Sequence, residues 1–285
     1  MKYIRLIKKL LIALIVFSLV FIVPAAILFV FSSPRPAAEN FTIIAHANGG
    51  VFDESGKMHI YTNSLEAFEY NYGLGTRVFE IDFAFTSCGE LVGVHRWESR
   101  YFDGATDGKA SFKHPLSLAE FQSVKLGGLW TGLTFDDMLN LMESYIDVTV
   151  IIDTKERDYE KFYTLISDKI ALRAQSVKDR IVPQIFSFAH YEFLGELERD
   201  NPYRHYIFNL TRYIPFRLFA LRKINRYEKI DAVSVSALVL PLANLNAFKN
   251  VRVYIYAYRN ESRTNRLPRR GIDGIFMDDI KRSIT

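Results

Sequence analysis

The sequence contains a single cysteine, and this scarcity excludes two kinds of site. Cys88 has no second cysteine with which to form an intramolecular disulfide, and no metal site built from several thiolates is possible. The sequence also lacks internal repeats and low-complexity tracts. We therefore expect an ordinary globular core, which about 250 residues can bury without covalent staples.

The sequence has no large excess of one charge. Its net charge is +4, and four positive residues precede the first long apolar run, namely Lys2, Arg5, Lys8 and Lys9. The rest of the chain is near neutral and has no basic run with interleaved aromatic residues on a recognisable motif. We therefore expect no nucleic-acid partner, and the sequence leaves the oligomeric state open.

The longest apolar run covers residues 10–31 and contains no charged residue. As a helix it would be about 33 Å long, enough to cross a hydrocarbon core of about 30 Å. Because the basic residues precede it, the positive-inside rule places residues 1–9 in the cytoplasm. The alternative is a cleaved signal peptide, whose apolar core is usually shorter. We predict a single-pass transmembrane helix at 10–31, a linker at 32–40 and an extracytoplasmic domain at 41–285.

Short apolar segments alternate with amphipathic segments after the linker. The strand-like segments are 41–45, 77–83, 91–95, 147–153, 180–186, 204–208, 231–235, 251–257 and 274–277. Helical patterns lie between most of them, for example at 64–72, 135–145, 158–173 and 191–199. This alternation predicts an α/β fold with a parallel sheet, and a closed (β/α)8 TIM barrel fits the size of the domain.

One of these nine segments is predicted to lie outside the barrel. Segment 91–95 follows the preceding strand through a short turn that contains Ser87 and Gly89. A parallel return needs a dozen or more connecting residues, so this segment is the second arm of a hairpin. Eight barrel strands remain, and the hairpin would place His95 over the barrel mouth. The long connection at 96–133 is a candidate lid or substrate-facing loop.

Two acidic residues share one face of the second barrel strand. Glu80 and Asp82 are two residues apart and therefore point to the same side, whereas Phe79, Ile81 and Phe83 point to the other. Two carboxylates on one interior face repel each other unless a cation neutralises them. Ca²⁺ and Mg²⁺ prefer such oxygen ligands. The alternative is an acidic face exposed to solvent at the end of the strand.

Four further residues complete a candidate site. Asp153 and Lys155 share a strand face, so they offer either a third carboxylate with a phosphate-binding cation or a local ion pair. His46 ends the first strand, where barrel enzymes place catalytic residues, and His95 ends the hairpin arm. A lone histidine at a strand end is more often structural. Two histidines beside three carboxylates and a lysine suit phosphoryl transfer with one general acid and one general base.

The motifs that contain these residues resemble those of the glycerophosphodiester phosphodiesterases, in the wider group that includes phosphatidylinositol-specific phospholipases C. The resemblance spans about residues 43–278. Its motifs are His46-Ala47-Asn48, Thr62-Asn63-Ser64, Glu80-Ile81-Asp82, Thr86-Ser87-Cys88-Gly89, His95-Arg96, Asp153-Thr154-Lys155, Gln184-Ile185-Phe186-Ser187-Phe188 and Gly271-Ile272-Asp273-Gly274-Ile275-Phe276-Met277-Asp278.

The resemblance implies a (β/α)8 barrel that binds a divalent cation, Ca²⁺ or Mg²⁺, through the positions of Glu80, Asp82 and Asp153. It also implies that His46 and His95 are the acid and base and that Lys155 lies near the phosphate. The implied activity is that of a phosphoric diester hydrolase acting on a glycerophosphodiester, a lipid headgroup or a polyol-phosphate.

The chain departs from the family pattern around this core. Ala47 replaces an arginine, Thr62 a glutamate and Arg96 an aspartate, while Asp153 replaces a glutamate as in the related sphingomyelinase D enzymes. Two alternatives therefore stay open. One is a sphingomyelinase-D-like or phospholipase-type enzyme on membrane lipid, and the other is a barrel that binds phosphate ligands without turnover. By residue type alone, Arg96 or Arg259 is a candidate for the missing guanidinium.

Overall fold

The computed structural model describes residues 2–18, 21, 35–97, 115–197, 203–210, 224, 226–237, 248, 250–256 and 261–281. Its strands are β1 (Thr42–Ala45), β2 (Val51–Phe52), β3 (Met58–His59), β4 (Val78–Phe85), β5 (Leu91–Gly93), β6 (Lys125–Leu126), β7 (Trp130–Thr131), β8 (Thr149–Thr154), β9 (Ile181–Ile185), β10 (Tyr206–Asn209), β11 (Ile230–Ser236), β12 (Arg252–Tyr256) and β13 (Gly274–Met277). Its α-helices are α1 (Lys2–Phe17), α2 (Leu65–Gly73), α3 (Leu118–Ser123), α4 (Phe135–Ser144), α5 (Tyr159–Ala171), α6 (Gln175–Lys178) and α7 (Phe188–Glu196). Short 3-10 helices span His46–Asn48, Glu261–Arg266 and Pro268–Arg270.

Eight parallel strands form a closed barrel. Their order is β1, β4, β8, β9, β10, β11, β12 and β13, and β1 pairs with both β13 and β4, which closes the ring. Strand β5 is antiparallel to β4, with Phe83 opposite Gly93. The predicted (β/α)8 barrel and the predicted hairpin arm are therefore both confirmed.

The strand residues that point out of the barrel pack against the surrounding helices. On β4, Phe79 lies against Phe68 of α2 with ring centroids 4.6 Å apart, and Phe83 lies 5.1 Å from Phe135 of α4. All four rings are buried in the largest apolar cluster. Burial of such side chains contributes about 1.5–3 kcal/mol each, so this layer fixes the register of β4 and hence the side to which its acidic residues point.

The interior of the barrel contains apolar as well as charged side chains. A separate buried cluster fills it and consists of Ile44, Ile151, Ile207, Ala232, Tyr254 and Phe276. Polar side chains follow nearer the carboxyl ends of the strands, where Glu80, Asp82 and Asp153 are buried. The barrel interior thus combines a packed apolar cluster, which reaches the cavity at Phe276, with a charged site at the carboxyl ends of the strands.

The barrel helices begin at polar residues that cap their first turn. Ser64 accepts a hydrogen bond from the backbone N–H of Ala67, and Thr134 forms a reciprocal capping box with Asp137. Ser187 caps α7, because its side chain accepts a hydrogen bond from the backbone N–H of His190. Because a cap satisfies backbone donors that the helix itself cannot, each of these residues fixes where a helix starts after its strand.

A small second layer covers one side of the barrel, and the sequence pattern did not predict it. The hairpins β2–β3 and β6–β7 pack with α3 around a cluster of buried side chains, namely Val51, Ala67, Val92, Val94, Phe121, Leu126 and Trp130. Much of the segment proposed as a lid belongs to this layer, and residues 98–114 lie outside the described residues. Of the described part of 96–133, Arg96 lines the cavity at the barrel mouth.

The N-terminal helix α1 has exposed apolar side chains, including Leu10 and Leu14, which are 62% and 66% exposed. The predicted membrane span at 10–31 extends over residues 19, 20 and 22–31, which lie outside the described residues. Within the part that the structure describes, no helix is both long and apolar enough to cross a membrane. The predicted transmembrane helix is therefore not confirmed.

Candidate active site

A cavity of about 800 Å³ opens at the carboxyl ends of the barrel strands. Five of the six predicted site residues line it, namely His46, Glu80, His95, Asp153 and Lys155. The sixth, Asp82, is buried beside Asp153, its partner in the β4–β8 register. The structure therefore brings all six predicted residues to one end of the barrel.

Three buried carboxylates form the centre of this site. Glu80, Asp82 and Asp153 are only 2%, 1% and 3% exposed, so solvent does not screen their charges. One oxygen from each lies within 4.8 Å of the others. Parallel pairing of β4 with β8 sets this arrangement, because it places Asp82 directly opposite Asp153.

The negative charge of these carboxylates exceeds the positive charge next to them. The ammonium of Lys155 bonds the carboxylate of Asp153 and lies 3.4 Å from Oδ1 of Asp82. Burial, followed by the charge of Asp82, raises the pKa of Glu80, and burial raises the pKa of Asp153 despite Lys155. Burial lowers the pKa of Lys155, but the neighbouring carboxylates outweigh it and keep the pKa above its usual value. Lys155 and His46 both lower the pKa of Glu80, but His46 is already paired with Asp278, so these two groups do not compensate the three carboxylates.

A divalent cation fits this donor set. Ca²⁺ and Mg²⁺ take carboxylate oxygens as ligands, and Glu80, Asp82 and Asp153 supply three that converge. Oδ1 of Asp82 is buried and accepts no hydrogen bond from any described residue, although the ammonium of Lys155 lies 3.4 Å away. Such an atom is costly in a protein interior unless an ion or another polar group satisfies it.

Two neighbouring loops bond the side chain of Glu80 and the backbone of Asp82. The N–H of Ala47 donates to Oε2 of Glu80 at 2.8 Å. The N–H of Asp82 donates to Oδ1 of Asn63 at 3.0 Å. Asn63 also joins the loops to each other, since its N–H donates to the carbonyl of Ala47 at 3.2 Å. Sequence reasoning assigned no role to Asn63, although it lies in a motif quoted for the family resemblance.

These two loops contain four non-glycine residues with left-handed backbone. The φ angles are 50° at Ala47, 66° at Asn48, 59° at Tyr61 and 48° at Asn63. Asparagine adopts this region fairly readily, but alanine and tyrosine do so at a cost of about 1–3 kcal/mol each. Such strain persists only where the surroundings over-determine the conformation, and it clusters at functional sites.

His46 forms an ion pair with a residue that sequence reasoning did not place in the site. Its Nδ1 lies 2.8 Å from Oδ1 of Asp278, which follows β13 at the same end of the barrel. Burial lowers the pKa of His46, but the bond to Asp278 and the charges of Glu80, Asp278 and Asp82 outweigh burial and raise it to about 9. The available signal was the position of Asp278 directly after the last barrel strand.

His95 has the opposite electrostatic environment. Burial lowers its pKa to about 4, and the positive charges of Lys155, Arg96 and His46 add to this shift. At neutral pH the site therefore holds one protonated and one neutral imidazole. Two titratable groups whose surroundings drive their pKa values apart are suited to serve as a general acid and a general base.

The structure places two of the residues that depart from the family pattern, Thr62 and Arg96, near the candidate site. The Thr62 hydroxyl lies 2.9 Å from the hydroxyl of Ser64, the residue that caps α2. Arg96 lines the cavity, and so does Arg157, which sequence reasoning did not consider. Arg259 lies outside the described residues. Among the described residues, two guanidinium groups thus border the cavity although Ala47 provides none.

A family model described as "Glycerophosphoryl diester phosphodiesterase family" matches residues 55–282. Comparison with curated proteins finds no match. A glycerophosphodiester phosphodiesterase from Thermotoga maritima is 14% identical, with a TM-score of 0.62 over 86% of this chain and 97% of that one. A phosphodiesterase from Oleispira antarctica, solved with the product sn-glycerol-3-phosphate, is 16% identical, with a TM-score of 0.60 over 90% of this chain and 97% of that one. At this identity the solved structures support the fold alone.

We expect the carboxylate of Asp278 to control the pKa of His46. Replacing Asp278 with asparagine removes the charge and the strongest acceptor beside the imidazole, so the pKa of His46 should fall markedly from about 9. Because the folded-state pKa exceeds the ordinary value of 6.5, the pair stabilises the fold fully below pH 6.5, and this contribution is lost as the pH rises through about 9. NMR titration of the histidines with a chelator present measures the pKa. Thermal unfolding across the same pH range measures the stability.

Asp53→Asn is the matched control for this experiment. It removes the carboxylate that lies 2.8 Å from Nε2 of His59, at the β2–β3 hairpin. It should leave the titration of His46 unchanged. An unaltered pKa for His46 in Asp278→Asn would contradict the role given to the pair.

Proposed function

Because the chain belongs to the glycerophosphoryl diester phosphodiesterase family, whose members are phosphodiesterases, we propose that it hydrolyses glycerophosphodiesters in a reaction that requires a divalent cation. The observation that carries this proposal is the triad of buried carboxylates flanked by two histidines with opposite pKa shifts. A purely structural cluster would not need two imidazoles held in different protonation states.

The proposed cation is Ca²⁺ or Mg²⁺, held by Glu80, Asp82 and Asp153. When bound, it would offset negative charge on the phosphoryl oxygens. The ammonium of Lys155 adds a second positive charge on the same side of the cavity, and its raised pKa keeps it protonated at neutral pH. Arg96 at the cavity wall is our candidate for the guanidinium that Ala47 lacks.

The two imidazoles divide the proton transfers between them. His95, neutral at pH 7, takes the proton from the attacking hydroxyl, which belongs either to the substrate or to water. His46, protonated and held by Asp278, donates its proton to the leaving oxygen as the P–O bond breaks. If a substrate hydroxyl attacks, the first product is a cyclic phosphate. Water then opens this product with the roles of the two histidines exchanged.

Part of the cavity wall consists of uncharged polar and aromatic side chains, which suit a polyol. The amide of Gln184 lines it, with Oε1 lying 3.5 Å from the hydroxyl of Ser234. Asn209 and the rings of Phe186 and Tyr256 line the same wall. Amides bind hydroxyl groups, and aromatic faces pack against the C–H surface of a glycerol backbone. The glycerol-phosphate product reported for the Oleispira antarctica enzyme agrees with this preference.

A substrate panel tests the proposed activity. The full-length chain should release products from glycerophosphodiesters when Ca²⁺ or Mg²⁺ is present, and His46→Ala or His95→Ala should lower kcat by about 100-fold or more. Mass spectrometry of the products distinguishes cyclic from open phosphates. Parallel assays with sphingomyelin, phosphatidylinositol and a glycerol-phosphate polymer test whether a membrane lipid or a polymer is the better substrate.

His205→Ala is the control for the loss of a histidine, because His205 precedes β10 at the opposite end of the barrel and its side chain is half exposed. It should retain wild-type activity. Product release no greater than that of the His46→Ala, His95→Ala double variant, across all diester classes, would refute the proposal. Binding of glycerophosphodiesters without turnover would identify a non-catalytic barrel instead.

We also propose that residues 10–31 anchor the chain in a membrane, with residues 1–9 in the cytoplasm and the barrel outside. The support is the run of 22 uncharged residues after a basic cluster. The described part of α1 agrees with it, since large apolar side chains such as Leu11 and Ile12 are exposed there. An anchored barrel would meet its substrates at or near the bilayer surface.

The single cysteine provides a probe of this topology. Cys88 is exposed on the β4–β5 hairpin, so a maleimide that cannot cross membranes should label it in intact cells that express the full chain. The chain should also stay with the membranes through an alkaline carbonate wash. Cys88→Ser controls for labelling elsewhere. Labelling only after lysis, or release of the chain by the wash, would refute the anchored topology.

A further inference from the structure

The ring of Tyr61 lies between the two imidazoles of the site. Its centroid is 4.8 Å from that of His46, with an interplanar angle of 77°, and 5.1 Å from that of His95, with an angle of 78°. Both contacts have the edge-to-face geometry that aromatic rings favour. One side chain thus contacts both histidines at once.

The backbone of Tyr61 adopts a conformation that a bulky residue rarely accepts. Its φ is 59°, in the left-handed region that glycine or asparagine usually occupies. The following residues over-determine this conformation, because Asn63 bonds both Ala47 and Asp82, and Ser64 caps α2. Strain of this kind, maintained at a cavity, points to a function for the side chain that it places.

Ordinary core packing does not account for this ring. Tyr61 is only partly buried, and it lines the cavity rather than the apolar layer between strands and helices. Tyr70 offers a comparison within the same region, since its half-buried ring packs against Phe52 and the second apolar layer. Among the described residues, the ring of Tyr61 contacts His46 and His95, the two groups that carry the proposed proton transfers.

We infer that Tyr61 is a positioning residue, which holds the imidazoles of His46 and His95 at a fixed separation and orientation around the scissile phosphate. This inference rests on the proposed function for its catalytic consequence. General acid and general base must reach opposite sides of one phosphorus centre, so their spacing has to match the distance between the attacking and leaving oxygens. A rigid ring between them keeps that spacing when the cavity is filled and when it is empty.

Three substitutions at this position separate the possible roles of the side chain. Tyr61→Phe keeps the ring and removes the hydroxyl, Tyr61→Ala removes the ring, and Tyr61→Gly removes the ring while accepting the left-handed backbone. We expect Tyr61→Phe to keep kcat within about threefold of wild type and the other two to lower it by about 10- to 100-fold. KM should change little, because the ring acts on the transition state through the histidines.

Tyr70→Ala is the matched control, since it removes a half-buried tyrosine ring away from the cavity and should leave kcat unchanged. Thermal unfolding of each variant shows whether the fold is retained, and Tyr61→Gly guards against loss of activity through strain alone. A raised KM with unchanged kcat would mean that Tyr61 contacts substrate instead. Equal losses in Tyr61→Phe and Tyr61→Ala would mean that the hydroxyl acts. Either result, or wild-type activity in all three variants, overturns the inference.

Histidine NMR spectra test the positioning independently of turnover. The chain has six histidines, so single substitutions can assign the ring signals of His46 and His95. Both sets of signals should shift in Tyr61→Ala and Tyr61→Gly and stay near wild type in Tyr61→Phe, because the ring current of residue 61 acts on both. Unshifted signals in Tyr61→Ala overturn the inference. If the wild type turned over no diester, the proposed function would fail, and these spectra would still decide whether Tyr61 positions the histidines.

Discussion

The burial of three carboxylates at one end of the barrel is the constraint on which the rest of the site depends. Glu80, Asp82 and Asp153 lie within 4.8 Å of one another and are almost completely removed from solvent. Bringing like charges together in a protein interior is unfavourable unless cations and hydrogen-bond donors compensate them. Lys155 provides part of this compensation. The same negative charge helps to keep His46 protonated, whereas Lys155 disfavours protonation of His95.

The barrel can hold this charge because rigid apolar packing fixes where each carboxylate points. Phe79, Ile81 and Phe83 pack outward on β4, which leaves Glu80 and Asp82 to face inward. The strained loops then supply a donor to Glu80, the N–H of Ala47, and an acceptor for the N–H of Asp82, Oδ1 of Asn63. The stability gained in the core thus supports a site whose own conformation is locally unfavourable, a division commonly found in enzymes.

Features of the fold and site that depend on the spacing of nearby residues could be predicted from the sequence. Features that depend on contacts between distant residues could not. The two-residue spacing of Glu80 and Asp82 predicted that both face the barrel interior. The short turn at Ser87 and Gly89 predicted the hairpin, which left eight strands for the barrel. The pairing of His46 with Asp278 joins residues 232 positions apart, which no local pattern specifies. The left-handed backbone of Tyr61 is set by its surroundings, since tyrosine has no preference for it. Strands β2, β3, β6 and β7 have two residues each, too few to show a periodicity.

Isothermal titration of the chelator-treated full-length chain with Ca²⁺ and Mg²⁺ tests the role of the carboxylates most directly. One equivalent of at least one of these cations should bind, with release of protons near neutral pH, because the pKa of Glu80 is raised to about 8 and binding requires its ionised form. Binding should disappear in Asp82→Asn and persist in Asp136→Asn, which changes a half-exposed carboxylate paired with Lys169. Absence of saturable binding at millimolar cation, or undiminished binding in Asp82→Asn, would contradict a cation site at these carboxylates.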